Sequence, residues 1–212
     1  MASALKKVAL ITASSRPTRA GPTVTSFISK ILTTSPVASS VEVETVDVKT
    51  FNLPLFDHPS APAMFPLNLP SPLPEGHPAL AWSKKLQTFD AYILVTPEYN
   101  GGLPAGFKNA LDYTYYEFTS KPFFTISYGV HGGNFANEEA SRAIGVIMKG
   151  KVVDTKVLLP WARDEMMLPT AEGKLGPKTL EAWEGQKGEV LKGFEELIGL
   201  LKEEKVAEEI AA

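Results

Sequence analysis

The 212-residue chain contains no cysteine. That excludes disulfides, thiolate metal centres and every mechanism built on a cysteine nucleophile. Histidine is scarce: His58, His77 and His131 are the only three, with no ligand spacing around them, so no metal site is expected. Charge of one sign is not in excess. A net charge of −3 gives nothing that favours nucleic acid or an anionic membrane. Long apolar runs are also missing. Met1 to Lys7 carries two lysines ahead of a short apolar stretch, too short for a secretory core or a membrane span. The expectation is a soluble, cytoplasmic protein with no membrane insertion and no nucleic-acid partner.

What is present fits one α/β domain over residues 1–212. Apolar residues make up 44%, enough for a sizeable core and unlike a disordered chain. Val8–Thr12, Ala91–Val95 and Phe123–Ser127 are short apolar runs that read as buried parallel strands. Val41–Val48 alternates β-branched residues with acids and predicts a more exposed, edge strand. Val152–Leu159 predicts the fifth strand. Val24, Phe27, Ile28, Ile31 and Leu32 keep helical spacing and place one apolar stripe on a sheet. Ala79–Phe89 and Pro104–Tyr115 are further helix candidates. Glu138–Lys149 is another, with Asn137 as its expected cap. Residues 51–78 hold eight of the seventeen prolines and predict an irregular excursion, anchored by Leu53, Leu55, Phe56, Met64 and Phe65. Residues 177–212 read as a charged helical tail. Five strands separated by helices imply right-handed crossovers and a parallel sheet covered on both faces.

Three polar, Gly-rich loops leave the first, third and fourth strands. The first, Ala13 to Thr23, supplies hydroxyls and two guanidinium groups just before a helix start, where free N–H groups and the helix dipole favour an anion. The second follows Val95 as Thr96-Pro97-Glu98-Tyr99-Asn100-Gly101-Gly102-Leu103-Pro104-Ala105-Gly106-Phe107-Lys108-Asn109-Ala110-Leu111-Asp112. The third is Ser127-Tyr128-Gly129-Val130-His131-Gly132-Gly133-Asn134. Gly145 to Lys151 matches the glycines and lysine of a phosphate-binding P-loop. However, Val152 stands where a magnesium-binding hydroxyl is needed, and the segment ends a helix instead of following a strand.

The second loop closely resembles the PEYN-G-x-P…K-N-A-x-D signature of the NAD(P)H-dependent FMN reductases, the flavodoxin-like quinone and azo reductases. The first loop is similar to that family's G-S-x-R turn, with Ala13 in place of the usual Gly, and the third to its S-x-G-x-x-G-G turn. The resemblance covers roughly Lys7 to Lys149. It implies a flavodoxin-like three-layer sandwich with a five-stranded parallel sheet in the order 2-1-3-4-5, and loops converging where the strand order reverses. It further implies FMN held by Ser14, Arg16, Arg19 and Thr23 around the phosphate. Pro97, Glu98, Tyr99, Asn100 and Gly101 would lie along the ring edge, and Ser127, Gly129 and Gly132 on its pyrimidine side. A related topology, that of the low-molecular-weight tyrosine phosphatases, is excluded by the missing cysteine.

NADPH or NADH is the implied co-substrate, and a quinone, azo compound or free flavin the implied acceptor, by a ping-pong mechanism. No side chain is then expected to be catalytic. His131 is a weak candidate for a general acid, weighed against an exposed loop residue. A structural role is preferred for Glu98, and helix-surface or loop-bracing roles for Lys108, Asn109 and Asp112. Two other readings stay open: a flavodoxin-type electron carrier with Tyr99 and Tyr128 flanking the ring, and a flavin-responsive interaction protein with the tail as its docking element. A homodimer or higher oligomer is expected, using some of Phe107, Leu111, Tyr115, Ile144, Ile147, Trp161, Met166 and Met167.

Overall fold

The structure, a computed structural model, describes residues 4–65 and 73–211, with side chains up to Glu203. The expectations for Met1 to Ser3, for 66–72 within the Pro-rich excursion and for the last side chains of the tail lie outside the described residues.

The sheet has β1 (Lys6–Thr12), β2 (Val41–Asp47), β3 (Ala91–Pro97), β4 (Pro122–Gly129), β5 (Lys151–Val152) and β6 (Val157–Pro160), all paired in parallel. Its order is β2-β1-β3-β4-β5, with β6 also on β4. This is the flavodoxin-like α/β sheet. β3 is buried at every residue, whereas the edge strand β2 buries only Val41 and Val46, which is why its sequence alternates with acids.

Successive residues of each central strand serve opposite layers. Ala9, Ile11, Tyr92, Leu94 and Phe123 face α2 (Pro78–Gln87), α3 (Ala105–Asp112) and α4 (Asn134–Ser141). Val8, Leu10, Ile93, Val95, Phe124 and Ile126 face α1 (Gly21–Leu32) and the C-terminal helices. A short α5 (Leu168–Ala171) precedes α6 (Pro177–Glu184) and α7 (Lys187–Ala211).

The expected fifth strand is broken. Phe123 pairs with Val152 but Ile126 pairs with Val157, so two extra residues bulge out between β5 and β6. The bulge is held from far along the chain: the Thr155 amide and hydroxyl donate to the Glu196 carboxylate at 3.0 and 2.7 Å. α4 starts earlier than its sequence predicts. Asn137 lies inside it, 4% exposed, and its side-chain amide donates to the Thr125 carbonyl at 3.1 Å. After Ser141 the helix widens into a π-helical turn, Arg142–Ile147.

In the Pro-rich excursion, Leu53 and Phe56 pack on the core, but Leu55 and Met64 are 84% and 78% exposed and anchor nothing. Asn109 clamps the segment to α3, accepting from the Phe56 amide at 2.9 Å and donating to the Pro54 carbonyl at 2.7 Å. The C-terminal helices are a structural layer. Trp183, Val190, Phe194, Leu197, Ile198 and Leu201 are buried under the sheet. Phe107, Leu111 and Ile144, expected at a subunit interface, are instead core residues of this chain, at most 1% exposed.

Gly193 of α7 sits directly on Phe124, and a Cβ there would enter the ring. Gly193→Ala would gain about 1 kcal/mol of helix propensity but incur roughly 1–3 kcal/mol of overpacking. The variant is expected to have a lower urea midpoint than the native chain. A raised midpoint would show that the Phe124 ring can move aside at no cost.

Candidate functional site

The loops after β1, β3 and β4 meet because those strands are neighbours. Connections from β1 run to one edge of the sheet and those from β3 to the other, which leaves a crevice between them. The crevice is a cleft of about 380 Å³, within the range of small-molecule sites.

Loop one enters tightly. The Ala13 amide donates to the Val95 carbonyl at 3.0 Å. Ser14 is fully buried under the first turn of α1, where a Cβ on Gly21 would collide with its hydroxyl. That hydroxyl meets no partner at full hydrogen-bonding geometry, although it lies close enough to the Tyr128 hydroxyl to favour that phenol's ionised form. Arg19 is committed to structure: it donates to both Asp47 carboxylate oxygens at 2.9 and 2.5 Å and to the Ser14 carbonyl at 2.6 Å. It lines the cleft while tying loop one to the end of β2. Arg16 is exposed, and its guanidinium stacks over the Tyr99 ring, 3.6 Å from the centroid. Three other helix starts are capped by side chains, α2 by His77, α4 by Glu98 and α6 by Glu165, while α3 and α5 are not. α1 has no side-chain cap and no acid in its first turn. Its free N–H groups therefore favour an anion.

Loop two is a two-residue hairpin. Tyr99 and Gly102 exchange backbone hydrogen bonds at 3.0 and 3.2 Å. Asn100 and Gly101 between them have φ of 52° and 75°, the positive values of a type I′ turn, for which Asn-Gly is the favoured pair. Gly101 is thus required by its backbone angle, since a Cβ there would meet nothing within 4 Å. Two carboxylates fix the loop to α4. Glu98 accepts from the Phe135 amide at 2.8 Å and the Ala136 amide at 3.4 Å. Glu139 accepts from the Leu103 amide at 2.7 Å.

Loop three turns back on itself. Ser127 donates to the Gly132 carbonyl at 3.0 Å and is fully buried, and a Cβ on Gly132 would strike Leu158. These two residues shape the turn behind the cleft, and Gly129 lines it. His131 is exposed and outside the lining. Thr23 also lies outside it, donating to the Pro169 carbonyl at 3.3 Å. Tyr128 lines the cleft from β4, and its buried hydroxyl has the Ser14 hydroxyl as its polar neighbour without full hydrogen-bonding geometry. Burial pushes the Tyr128 phenol far above its ordinary value. Burial raises Tyr99 as well, and Arg16 and Arg19 only partly oppose it. Both phenols are therefore neutral hydroxyls near pH 7.

A fourth wall was not foreseen as part of the site. Trp161, Met166, Met167 and Thr170 line the cleft. Trp161 is positioned by its amide on the Gly129 carbonyl at 3.0 Å and by its rings against Tyr128 and Trp183. The only sequence signal was an unexplained run of apolar residues after the last strand.

The family model for NADPH-dependent FMN reductase matches residues 6–164. The chain belongs to the NADPH-dependent FMN reductase family. It is 39% identical over 204 residues to the NAD(P)H-dependent FMN reductase ntnL of a Nectria species, covering 95% of this chain and all of that one. It is 32% identical to an NAD(P)H-dependent FMN reductase of Schizosaccharomyces pombe, over 76% of each chain. In fold it is similar to FerB, an NAD(P)H:(acceptor) oxidoreductase of Paracoccus denitrificans, with a TM-score of 0.61, 20% identity, and 90% and 98% of the two chains covered. Family membership makes this FMN reductase an oxidoreductase whose redox pair is FMN and a nicotinamide. The site fits FMN on structural grounds. An uncapped helix start and the Arg16 guanidinium in the cleft lining suit a phosphate, and a cleft bounded by backbone and aromatic rings suits a flat ring system.

Because Glu98 caps α4 from another loop, Glu98→Ala should lower stability by about 0.5–2 kcal/mol, the usual cost of a lost N-cap. Urea denaturation measures it. A stability loss too small to resolve would mean that water replaces the carboxylate without penalty.

Proposed function

We propose that the chain binds FMN in the cleft between the three loops and reduces small electron acceptors with NADPH or NADH. The observation that carries this reading is the uncapped start of α1, with the buried Ser14 hydroxyl beneath it and the Arg16 guanidinium in the lining of the same cleft. When bound, FMN would supply hydride acceptance from the nicotinamide and two-electron delivery to a quinone, azo compound or free flavin.

The side chains bind, orient and exclude water. Arg16 and the first-turn amides of α1 hold the phosphate, with Ser14 as a further donor. Arg19 keeps loop one in place through Asp47. Pro97, Glu98, Tyr99 and Asn100 present the loop-two backbone to the ring edge, and Gly101 makes that turn possible. Gly129 does the same from loop three, whose shape Ser127 and Gly132 maintain. Thr23 joins α1 to the wall before α6. The neutral Tyr128 hydroxyl donates a hydrogen bond at the floor. His131, exposed and outside the cleft, has no part in the chemistry.

The reading includes a homodimer. The π-helical turn leaves Val146 and Ile147 60% and 58% exposed, beside Tyr115, whose hydroxyl donates to the Ile147 carbonyl at 2.9 Å. An apolar surface built by a widened helix suits a second copy, and two-fold pairing is the commonest assembly.

Two measurements test these assignments. Arg16→Ala should weaken FMN binding by about 1.5–3 kcal/mol, the worth of a hydrogen bond to a charged group. Fluorescence titration of the FMN-free protein reads this, and unchanged affinity would remove Arg16 from the phosphate site. Light scattering at micromolar concentration should give a dimer mass for the native chain and a monomer mass for the Val146→Glu, Ile147→Glu double variant. A native monomer with FMN bound and full activity would overturn the dimer.

A further inference from the structure

We propose that Met166 and Met167 determine acceptor specificity, selecting flat, apolar, fused-ring quinones over single-ring ones. The proposal rests on the reading of the cleft as an FMN site and names what is reduced there.

Four observations support it. The family model ends at residue 164, so these two residues and Thr170 add a wall to the cleft from beyond the matched region. Their side chains are left in water, 37% and 64% exposed, at the rim of a binding cleft. Their backbone is fixed while their side chains are free. Thr23 holds the Pro169 carbonyl, and the buried Glu165 accepts from the Lys178 and Thr179 amides at 3.1 and 2.8 Å. Finally, the lining is chemically mixed, with Arg16 stacked on Tyr99 and the two thioethers both part of it.

Methionine is polarisable, unbranched and adaptable, and it packs favourably against ring edges. On a rigid frame it makes a wall that conforms to a flat apolar molecule of variable outline. Each fused ring of an acceptor brings more apolar area against the thioethers, and a single ring leaves them wet. A charged or strongly polar acceptor gains nothing from this wall.

The test compares menadione with methyl-p-benzoquinone on the FMN-loaded protein. Met166→Gln with Met167→Gln keeps the side-chain length and removes the apolarity. It should lower the ratio of kcat/KM for menadione over methyl-p-benzoquinone about tenfold, through KM, in the range that small changes of apolar contact produce. Met166→Leu with Met167→Leu, an apolar swap of similar volume, should keep the native ratio. Calorimetric titration of menadione into the oxidised protein without nicotinamide should show the same order, with dissociation about tenfold weaker for the Gln pair. An unchanged ratio in the Gln pair, or equal losses in the Gln and Leu pairs, overturns the assignment while leaving the reductase reading intact. Failure of a nicotinamide to bleach the bound flavin of the native protein overturns that reading and the proposal with it.

Discussion

Two carboxylates exchanged between loop two and α4 hold the site together. Glu98 reaches from the loop to the first amides of the helix, and Glu139 reaches from the helix back to the Leu103 amide. Each satisfies N–H groups that a loop or a helix start would otherwise leave free. Because the bonds run in opposite directions, neither element can move without breaking a charged hydrogen bond. The Asn-Gly hairpin and the turn after β4 are thereby fixed relative to each other, as a binding surface made mainly of backbone requires. Loop one is tied separately, through Arg19 and Asp47, to the end of β2.

These braces divide the polar residues of the loops into two classes. Arg19, Glu98, Glu139 and Ser127 are hydrogen-bonded within the protein. Arg16 and the hydroxyls of Ser14 and Tyr128 are not: the first stacks on a ring, and the other two meet no partner at full hydrogen-bonding geometry. Burying a hydroxyl without a partner costs roughly 1–3 kcal/mol, and of these two Tyr128 lines the cleft while Ser14 lies beneath the start of α1.

Much of this was legible in the sequence where the signal is local. The apolar runs of β1, β3 and β4 and the helical stripe of α1 come from periodicity alone, and the Asn-Gly pair announces its own turn. Where the deciding partner is distant, the sequence reading went astray. Asn137 has the composition of a cap, yet the actual cap, Glu98, comes from another loop. Val152 to Leu159 reads as one strand because nothing nearby shows that Glu196 holds Thr155 out of register. Phe107, Leu111 and Ile144 looked surplus to one sheet face, but the Pro-rich excursion and α2 add a second layer of partners on that side. Trp161, Met166 and Met167 belong to no motif, so only the folded chain places them at the cleft.

The same details bear on the two alternative roles. An electron carrier that stacks its flavin between Tyr99 and Tyr128 needs both rings free. Tyr99 is covered by the Arg16 guanidinium, while Tyr128 is 2% exposed and packed edge-on against Trp161. The pair therefore does not form an open aromatic clamp. A docking role for the C-terminal tail needs an unpartnered apolar face. In α7 that face, from Val190 to Leu201, is consumed by β4 and α1, and Gly193 allows the helix to lie directly on Phe124. What is left exposed and apolar at the site is the rim of Val130, Met166 and Met167. An exposed rim of that size around a cleft suits a small apolar molecule that comes and goes. This is the requirement of turnover with diffusible acceptors, and it is why the reductase reading accounts for more of the surface than either alternative.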